Sequence, residues 1–267
     1  TEEDKIYNDL NPQKTYRDNL YVGVLGLNNR FTRLSFVCYL REDLIKCKSK
    51  VNKFVISLED SERLPAWNNT DYIHWRAVNG KELSLDCEES NKMISYHNIR
   101  RTNQHLGKVG CFLSHLNLLK HIVEYKINKV IVVEDDALQV NPIPEDLPDS
   151  FCYLGGFIAN KKITSNEKIS IDHKVGVNEL DSSKYRMITT LSYYIPRWQV
   201  AEEIVQAIEG LKRTKAVDLV FGNLIENPKY IYPSVFVEEP FKSQIMNSKK
   251  NKFAGEYYKQ VNYRGGI

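Results

Sequence analysis

The chain has 267 residues, enough to bury the core of one large domain or two small ones. Its apolar fraction of 42% and charged fraction of 27% are ordinary for a globular protein, and a net charge of +3 is too small to indicate a nucleic-acid partner. The five cysteines are odd in number and form no C-x-x-C pair, which argues against a disulfide framework or a structural zinc site.

No stretch approaches the roughly 18 consecutive apolar residues of a membrane span, and the N-terminus lacks a charged-then-apolar signal pattern. We therefore expect a soluble protein, cytoplasmic or otherwise intracellular, without a membrane span. The chain begins at Thr1 rather than Met, so this expectation leaves room for a removed leader. The sequence gives no indication of the oligomeric state.

The N-terminal part contains two apolar runs, residues 21–27 and 34–40, separated by turn-forming residues 28–30. This spacing predicts two strands, or a strand and a helix, joined by a turn. We expect residues 1–52 to form an extension without an assigned role that packs on the main domain.

Residues 53–58 have the apolar content of a strand and end in a polar turn, residues 59–63. If this turn opens a helix, the backbone amides of its first turn and Arg63 would together bind an anion. The alternative, which the sequence alone favours, is a surface loop with Asp60 or Ser61 as the helix cap.

A helix is predicted over residues 111–125, because its apolar positions are spaced for one buried face. Gly107 and Gly110 precede it, and Ser114 and His115 lie in its first turns. A histidine there more often packs or caps than catalyses. A helix start preceded by glycines can, however, also meet a phosphate, with Ser114 or His115 donating hydrogen bonds.

The strongest signal is the branched apolar run of residues 130–133, which ends in Glu134, Asp135 and Asp136. Such a run predicts a strand buried on both faces, with the acids at its carboxyl end, where ligands collect in open α/β sheets. If the extended backbone continues, Glu134 and Asp136 point to one side and Asp135 to the other. Two acids on one side predict a site for Mg²⁺ or Mn²⁺, and the alternative is a solvated acidic cap.

Beyond the acidic strand, the patterns predict three more strands and one amphipathic helix, which are residues 151–157, 187–195 and 230–237, and residues 200–211. Asp218 stands alone in an apolar run, where a carboxylate is either hydrogen-bonded for structure or retained for chemistry. Helices that alternate with buried strands predict an α/β fold with a mainly parallel central sheet.

Four local patterns stand in a fixed order along the chain: Val55-Ile56-Ser57-Leu58 with Ser61-Glu62-Arg63; Ala77-Val78-Asn79-Gly80; Gly107-x-x-Gly110-Cys111-x-x-Ser114-His115; and Val132-Val133-Glu134-Asp135-Asp136-Ala137. Together they resemble glycosyltransferase family 25, which contains lipooligosaccharide β-galactosyltransferases and procollagen galactosyltransferases. Three later signals agree: Tyr153-Leu154-Gly155-Gly156, Thr190-x-x-Tyr193-Tyr194-Ile195, and Val217-Asp218. The resemblance implies a glycosyltransferase domain over residues 53–245, followed by a polar C-terminal tail, residues 246–267.

The family implies a GT-A-like fold, a Rossmann-type α/β sandwich, which binds a UDP-sugar together with Mn²⁺, or Mg²⁺, through a D-x-D-like motif. Here that motif would be residues 134–136, with Asp136 as the direct metal ligand and Glu134 as its helper or a contact to the donor. A divalent ion that bridges the phosphates stabilises the charge on the departing nucleoside diphosphate.

The resemblance also assigns the other site residues. The expected donor-binding set is Ser57, Leu58, Arg63, Ser114, Glu134 and Asp135. Relatives that invert the anomeric carbon use a carboxylate to deprotonate the acceptor hydroxyl, and Asp218 is the candidate, with His115 as the alternative. The expected reaction is metal-dependent transfer of a hexose, galactose or glucose, from a UDP-sugar to a saccharide or hydroxylated acceptor, with inversion.

The chain departs from the family pattern at two places that concern the acceptor. Leu64 stands where a second basic residue is common, and residues 196–198 replace a small-residue turn. The acceptor therefore stays open. One alternative function is a degenerate transferase domain kept as a binding or scaffolding module. Another is a sugar nucleotidyltransferase, for which residues 22–27 make a poor glycine-rich loop.

Overall fold

The computed structural model describes residues 51–93, 103–161 and 171–238, and the backbone of two strands nearer the N-terminus. The chain divides into two compact units, residues 1–50 and residues 51–267. In the first unit, strands β1 (Leu20–Leu25) and β2 (Ser35–Leu40) pair antiparallel, which is one of the two predicted outcomes. Most of the predicted extension and all of the predicted tail, residues 246–267, lie outside the described residues, so the domain division stays a prediction.

The second unit is an α/β domain built on one nine-stranded sheet. Its strands are β3 (Asn52–Ser57), β4 (Ile73–Arg76), β5 (Val130–Glu134), β6 (Ala137–Gln139), β7 (Cys152–Asn160), β8 (Gly176–Glu179), β9 (Tyr185–Ile195), β10 (Lys229–Tyr232) and β11 (Phe236–Glu238). The helices in the described residues are α1 (Leu64–Trp67), α2 (Glu88–Lys92), α3 (Asn103–Glu124), α4 (Trp198–Glu209) and α5 (Val217–Leu224). A short 3₁₀ turn, Gly80–Glu82, lies between β4 and α2.

The sheet is mixed, so the prediction of a mainly parallel sheet is wrong. Its strand order is β4-β3-β5-β9-β7-β10-β8, with β11 paired to β7 and β6 paired to β11. Strand β3 runs parallel to β4 and β5, whereas β9 runs antiparallel between β5 and β7. Strand β9 is as buried near its C-terminal end as β5 is, and an apolar run reports burial without reporting strand direction.

The strand predicted over residues 130–133 is confirmed, and all four of its side chains are fully buried. Alternate side chains point to opposite faces, because successive residues of a strand do so. Val130 and Val132 join the core beneath helices α3, α4 and α5, whereas Ile131 and Val133 join a second core on the opposite face. The strand therefore anchors the acidic residues that follow it to both layers of the domain.

Helix α3 begins earlier than the sequence predicts, and it packs closely against the segment that follows β4. A Cβ atom on Gly110 would lie 2.5 Å from the carbonyl oxygen of Val78 and 2.8 Å from the backbone nitrogen of Gly80. One turn later, the Ser114 hydroxyl accepts a hydrogen bond from the Val78 amide at 2.8 Å. These contacts fix the position of α3 against the segment after β4, and with it the position of His115, the next residue of the helix.

Candidate functional site

The acidic residues lie where the carboxyl ends of β3 and β5 meet. The two strands are parallel, with Ile56 beside Glu134 in register. Strand β5 ends at Glu134, and Asp135 and Asp136 form a turn that leads into β6. The backbone therefore does not stay extended through Asp136, and each of the three carboxylates meets a different set of neighbours.

Asp135 binds the loop between β3 and α1. The hydroxyls of Ser57 and Ser61 donate to its Oδ2 at 2.7 and 2.5 Å, and Arg63 Nη1 lies 3.3 Å from its Oδ1. The indole of Trp67 donates to its backbone carbonyl at 3.2 Å. Three residues of the predicted donor set, Ser57, Arg63 and Asp135, are thus brought together, and Ser61 joins them. The N-cap position of α1 is occupied by Arg63 and not by Asp60 or Ser61.

Glu134 is held by helix α3 and strand β9. Its Oε1 accepts a hydrogen bond from the Thr190 hydroxyl at 2.5 Å and lies 3.1 Å from His115 Nε2. The other ring nitrogen of His115 lies 2.9 Å from the Tyr193 hydroxyl. Burial acts to raise the pKa of Glu134, but the hydrogen bonds from His115 and Thr190 outweigh it, and the pKa lies below its ordinary value.

Asp136 is the least satisfied of the three acids. Its Oδ1 is buried, and no residue of the described ranges donates a hydrogen bond to it. Burial and the negative charges of Glu134 and Glu238 raise its pKa well above the ordinary value, and the charge of Arg63 opposes them. A buried carboxylate oxygen without a donor is costly, and a bound cation would stabilise it.

Asp218 lies in the first turn of α5, beside Thr189 in the middle of β9. It accepts a hydrogen bond from the Leu219 amide at 2.8 Å and a longer one from the Thr189 amide at 3.4 Å. Burial raises its pKa although both backbone amides lower it, and the charge of Glu134 adds to the increase. Thr189 has a φ of 70°, a conformation in which a β-branched residue is strained.

Two other residues that are predicted to bind the sugar donor, Ser114 and Leu58, make contacts within the protein. The Ser114 hydroxyl donates to the Gly110 carbonyl at 2.7 Å and is itself buried, so its two hydrogen bonds both stabilise the packing of α3. The Leu58 carbonyl accepts a hydrogen bond from the Ser61 amide at 3.1 Å, and it lies 3.1 Å from the Ser57 hydroxyl, which donates to Asp135. Their assignment to the donor site stays a prediction.

Sequence reasoning missed the role of three residues around His115 and Glu134. Thr190 and Tyr193 belong to a motif that the resemblance uses, but the contact of Thr190 with Glu134 and that of Tyr193 with His115 depend on the position of β9 in the sheet. Cys111 is the third neighbour, because its Sγ, a ring nitrogen of His115 and an oxygen of Glu134 all lie within 4.8 Å of one another. Its spacing of four residues from His115 on a helix was the available signal.

Comparison with known proteins identifies the family. A model described as "Glycosyltransferase family 25 (LPS biosynthesis protein)" matches residues 50–221. A Drosophila melanogaster protein named "Glycosyltransferase 25 family member" is 34% identical over 85 residues, which are 29% of this chain and 13% of that protein. A protein of the same name from Drosophila pseudoobscura pseudoobscura is 33% identical over 70 residues, 24% of this chain and 11% of its own.

The chain thus covers only a small part of the length of these relatives. Within the described residues, no helix is both long enough and apolar enough to cross a membrane. The family model covers more than half of the 267 residues, including the carboxyl ends of β3 and β5 and the start of α5. The chain therefore belongs to glycosyltransferase family 25.

Proposed function

We propose that this protein is a metal-dependent hexosyltransferase that moves galactose or glucose from a UDP-sugar to a hydroxyl of a saccharide or other hydroxylated acceptor, with inversion. Membership of family 25 supports glycosyl transfer in general. We also propose that the α/β domain is a GT-A-like, Rossmann-type sandwich. The proposal of metal dependence rests on the buried Oδ1 of Asp136, which has no hydrogen-bond donor among the described residues.

The chemistry of the acidic turn fits a hard cation such as Mn²⁺ or Mg²⁺. Asp136 would be the direct ligand, and Glu134 the second, because both hydrogen bonds that it accepts fall on Oε1 and leave Oε2 for another partner. Such ions bind one or two carboxylates and complete their shell with phosphate and water oxygens. When bound, the ion would stabilise the negative charge that builds up on the departing UDP.

Arg63 is the proposed contact to the diphosphate. Its guanidinium is held against Asp135, yet its positive charge also acts on Asp136 and Glu238, which indicates that it lies beside the acidic turn. Asp135 then serves the donor site mainly by fixing Arg63, together with Ser57 and Ser61. Leu58 and Ser114 are kept among the proposed donor-binding residues because of the family resemblance.

Asp218 is the proposed base. An acceptor hydroxyl that attacks the anomeric carbon must lose its proton, and a carboxylate with a raised pKa takes that proton more readily at neutral pH. Burial raises the pKa of Asp218, and the hydrogen bonds described for it come from backbone amides. His115 is the second choice, because its two ring nitrogens already face Tyr193 and Glu134.

The proposal is tested by thermal melts with UDP, GDP, CMP and their common sugars, each with and without Mn²⁺. A ligand at 100 times its dissociation constant adds about 2.7 kcal/mol of stability, which is easily measured. We expect a Mn²⁺-dependent shift with UDP or one UDP-hexose, lost in Asp136→Asn and kept in Asp146→Asn, a control at an exposed aspartate.

Transfer is measured separately, as release of UDP in the presence of candidate saccharide acceptors. Asp218→Asn should keep the melting shift with UDP and lose transfer, whereas near-native turnover would remove Asp218 as the base. If no nucleotide shifts the melting temperature of the wild-type protein, the catalytic proposal is wrong, and the binding or scaffolding module becomes the better hypothesis.

A further inference from the structure

Three side chains with different ligand chemistry converge beside the acidic turn. Cys111 and His115 lie one turn apart on α3, and Glu134 ends β5. The Cys111 sulfur, a ring nitrogen of His115 and a carboxylate oxygen of Glu134 all lie within 4.8 Å of one another. A thiol, an imidazole and a carboxylate are the three donor types that proteins use for zinc.

We propose that Cys111, His115 and Glu134 bind a thiophilic divalent cation of the zinc class. This site is separate in chemistry from the proposed Mn²⁺ or Mg²⁺ site, because those hard ions prefer oxygen ligands and a thiolate favours softer ones. The site supplies three protein ligands, so a water molecule would fill the fourth, tetrahedral position.

The distances are close to those that an ion needs. Tetrahedral zinc, with bonds of about 2.0–2.2 Å to nitrogen and oxygen, separates these two atoms by about 3.4 Å. His115 Nε2 and Glu134 Oε1 are already 3.1 Å apart. A Zn–S bond of about 2.3 Å puts sulfur about 3.6 Å from nitrogen, so Cys111 must move by no more than about 1.2 Å.

The surroundings of His115 favour the same arrangement. Metal-binding histidines usually form a hydrogen bond through the other ring nitrogen, which fixes the orientation of the ring. Here Nδ1 lies 2.9 Å from the Tyr193 hydroxyl and leaves Nε2 directed at Glu134. His115 is fully buried, but Cys111 and Glu134 are partly exposed and give the ion a route from solvent.

Binding would exchange one set of contacts for another. The ion replaces the hydrogen bond between His115 and Glu134 with one bond to each residue. Nε2 of His115 gives up its proton, the neutral ring carries its proton on Nδ1 and donates a hydrogen bond to the Tyr193 hydroxyl, and the thiol proton of Cys111 passes to solvent. Oε1 of Glu134 then holds the zinc ion, whose charge weakens the binding of a second divalent ion to Oε2 of the same carboxylate. If the proposed transferase activity holds, zinc therefore inhibits it by competing with Mn²⁺ for Glu134.

The test uses Co²⁺ as an optical probe in chelator-treated protein. A thiolate bonded to Co²⁺ produces a strong charge-transfer absorption, which carboxylate sites do not. We expect one equivalent of Co²⁺ to produce this absorption, stoichiometric Zn²⁺ to abolish it, and Mg²⁺ to leave it unchanged. Cys111→Ser should lose the absorption, and Cys87→Ser, at another partly exposed free cysteine, should keep it.

No charge-transfer absorption in the wild-type protein, or equal absorption in Cys111→Ser, would overturn the site. His115→Gln provides a second variant, which should weaken Co²⁺ binding by at least about tenfold. In transfer assays with Mn²⁺, Cys111→Ser should need at least about tenfold more Zn²⁺ for half-inhibition. The Co²⁺ spectrum decides the metal site even if no sugar transfer is found, so the two proposals can fail separately.

Discussion

Replacing Asp136 by Asn should stabilise the metal-free protein, although the residue lies at the centre of the proposed site. Its Oδ1 is buried and has no donor among the described residues, and its carboxylate faces the charges of Glu134 and Glu238. Leaving a buried polar group unsatisfied costs about 1–3 kcal/mol, and more when the group is charged. An asparagine keeps the shape and removes only the cost of the charge, so we expect the free energy of unfolding to rise by about 1–2 kcal/mol.

The matched variant is Asp135→Asn, one residue earlier, for which we expect the free energy of unfolding to fall. Asp135 accepts hydrogen bonds from two serine hydroxyls and pairs with Arg63, whose side chain is 16% exposed against 12% for Asp135. Removing one member of a buried ion pair costs about 3–5 kcal/mol. Partial exposure reduces this value, so we expect a loss of about 2–3 kcal/mol.

Both variants are measured by urea unfolding in EDTA and again in Mn²⁺. The wild-type protein should gain stability from Mn²⁺ and Asp136→Asn should not. Because the pKa of Asp136 is raised, the folded state holds more protons than the unfolded state above about pH 4, and wild-type stability falls as pH rises through the folded pKa. The advantage of Asp136→Asn should therefore grow with pH. A loss of stability in Asp136→Asn equal to that in Asp135→Asn would refute the reasoning.

Three other substitutions test contacts at and away from the site. Thr190→Val removes the hydroxyl that donates to Glu134 at 2.5 Å, and urea unfolding should show a loss of about 1.5–3 kcal/mol, whereas Thr190→Ser should keep most of the stability. Burial lowers the pKa of His121, so the folded state binds fewer protons and stability falls as pH drops below about 6.5. Melts of His121→Phe should lack this decline, and an unchanged decline would assign it to other groups. Gly110→Ala places Cβ 2.5 Å from a carbonyl oxygen and should cost about 1–3 kcal/mol, whereas Gly210→Ala, with no contact under 3.5 Å, should be neutral.

The sequence predicts those features that depend on neighbouring residues. The run of residues 130–133 is buried on both faces, as its unbroken apolar content indicates, and the acids follow at the carboxyl end of the strand. The ordered motifs identify the family, which the family model confirms over residues 50–221. Burial and periodicity are local properties of a chain, so they are available before any fold is known.

The contacts of the acids could not be predicted in the same way. Ser61 and Asp135 are 74 residues apart in the chain, and Thr190 and Glu134 are 56 apart. Strand β5 also ends at Glu134, so Asp135 and Asp136 lie in a turn and not in the extended backbone that a simple alternation over residues 134–136 assumes. The assignments of metal ligand, donor contacts and base stay predictions, because they concern molecules that bind to these residues.

The position of β9 between β5 and β7 has a consequence for how the protein is made. A ribosome synthesises α3, β5 and β7 before β9, and His115 precedes its partner Tyr193 by 78 residues. Until β9 emerges, β5 and β7 each have an unpaired edge, and such edges promote aggregation of nascent chains. Pairing between distant segments is also slow. The strand that supports Glu134 is thus also the one that joins β5 to β7, and an incomplete chain that lacks it has neither the finished core nor the finished acidic site.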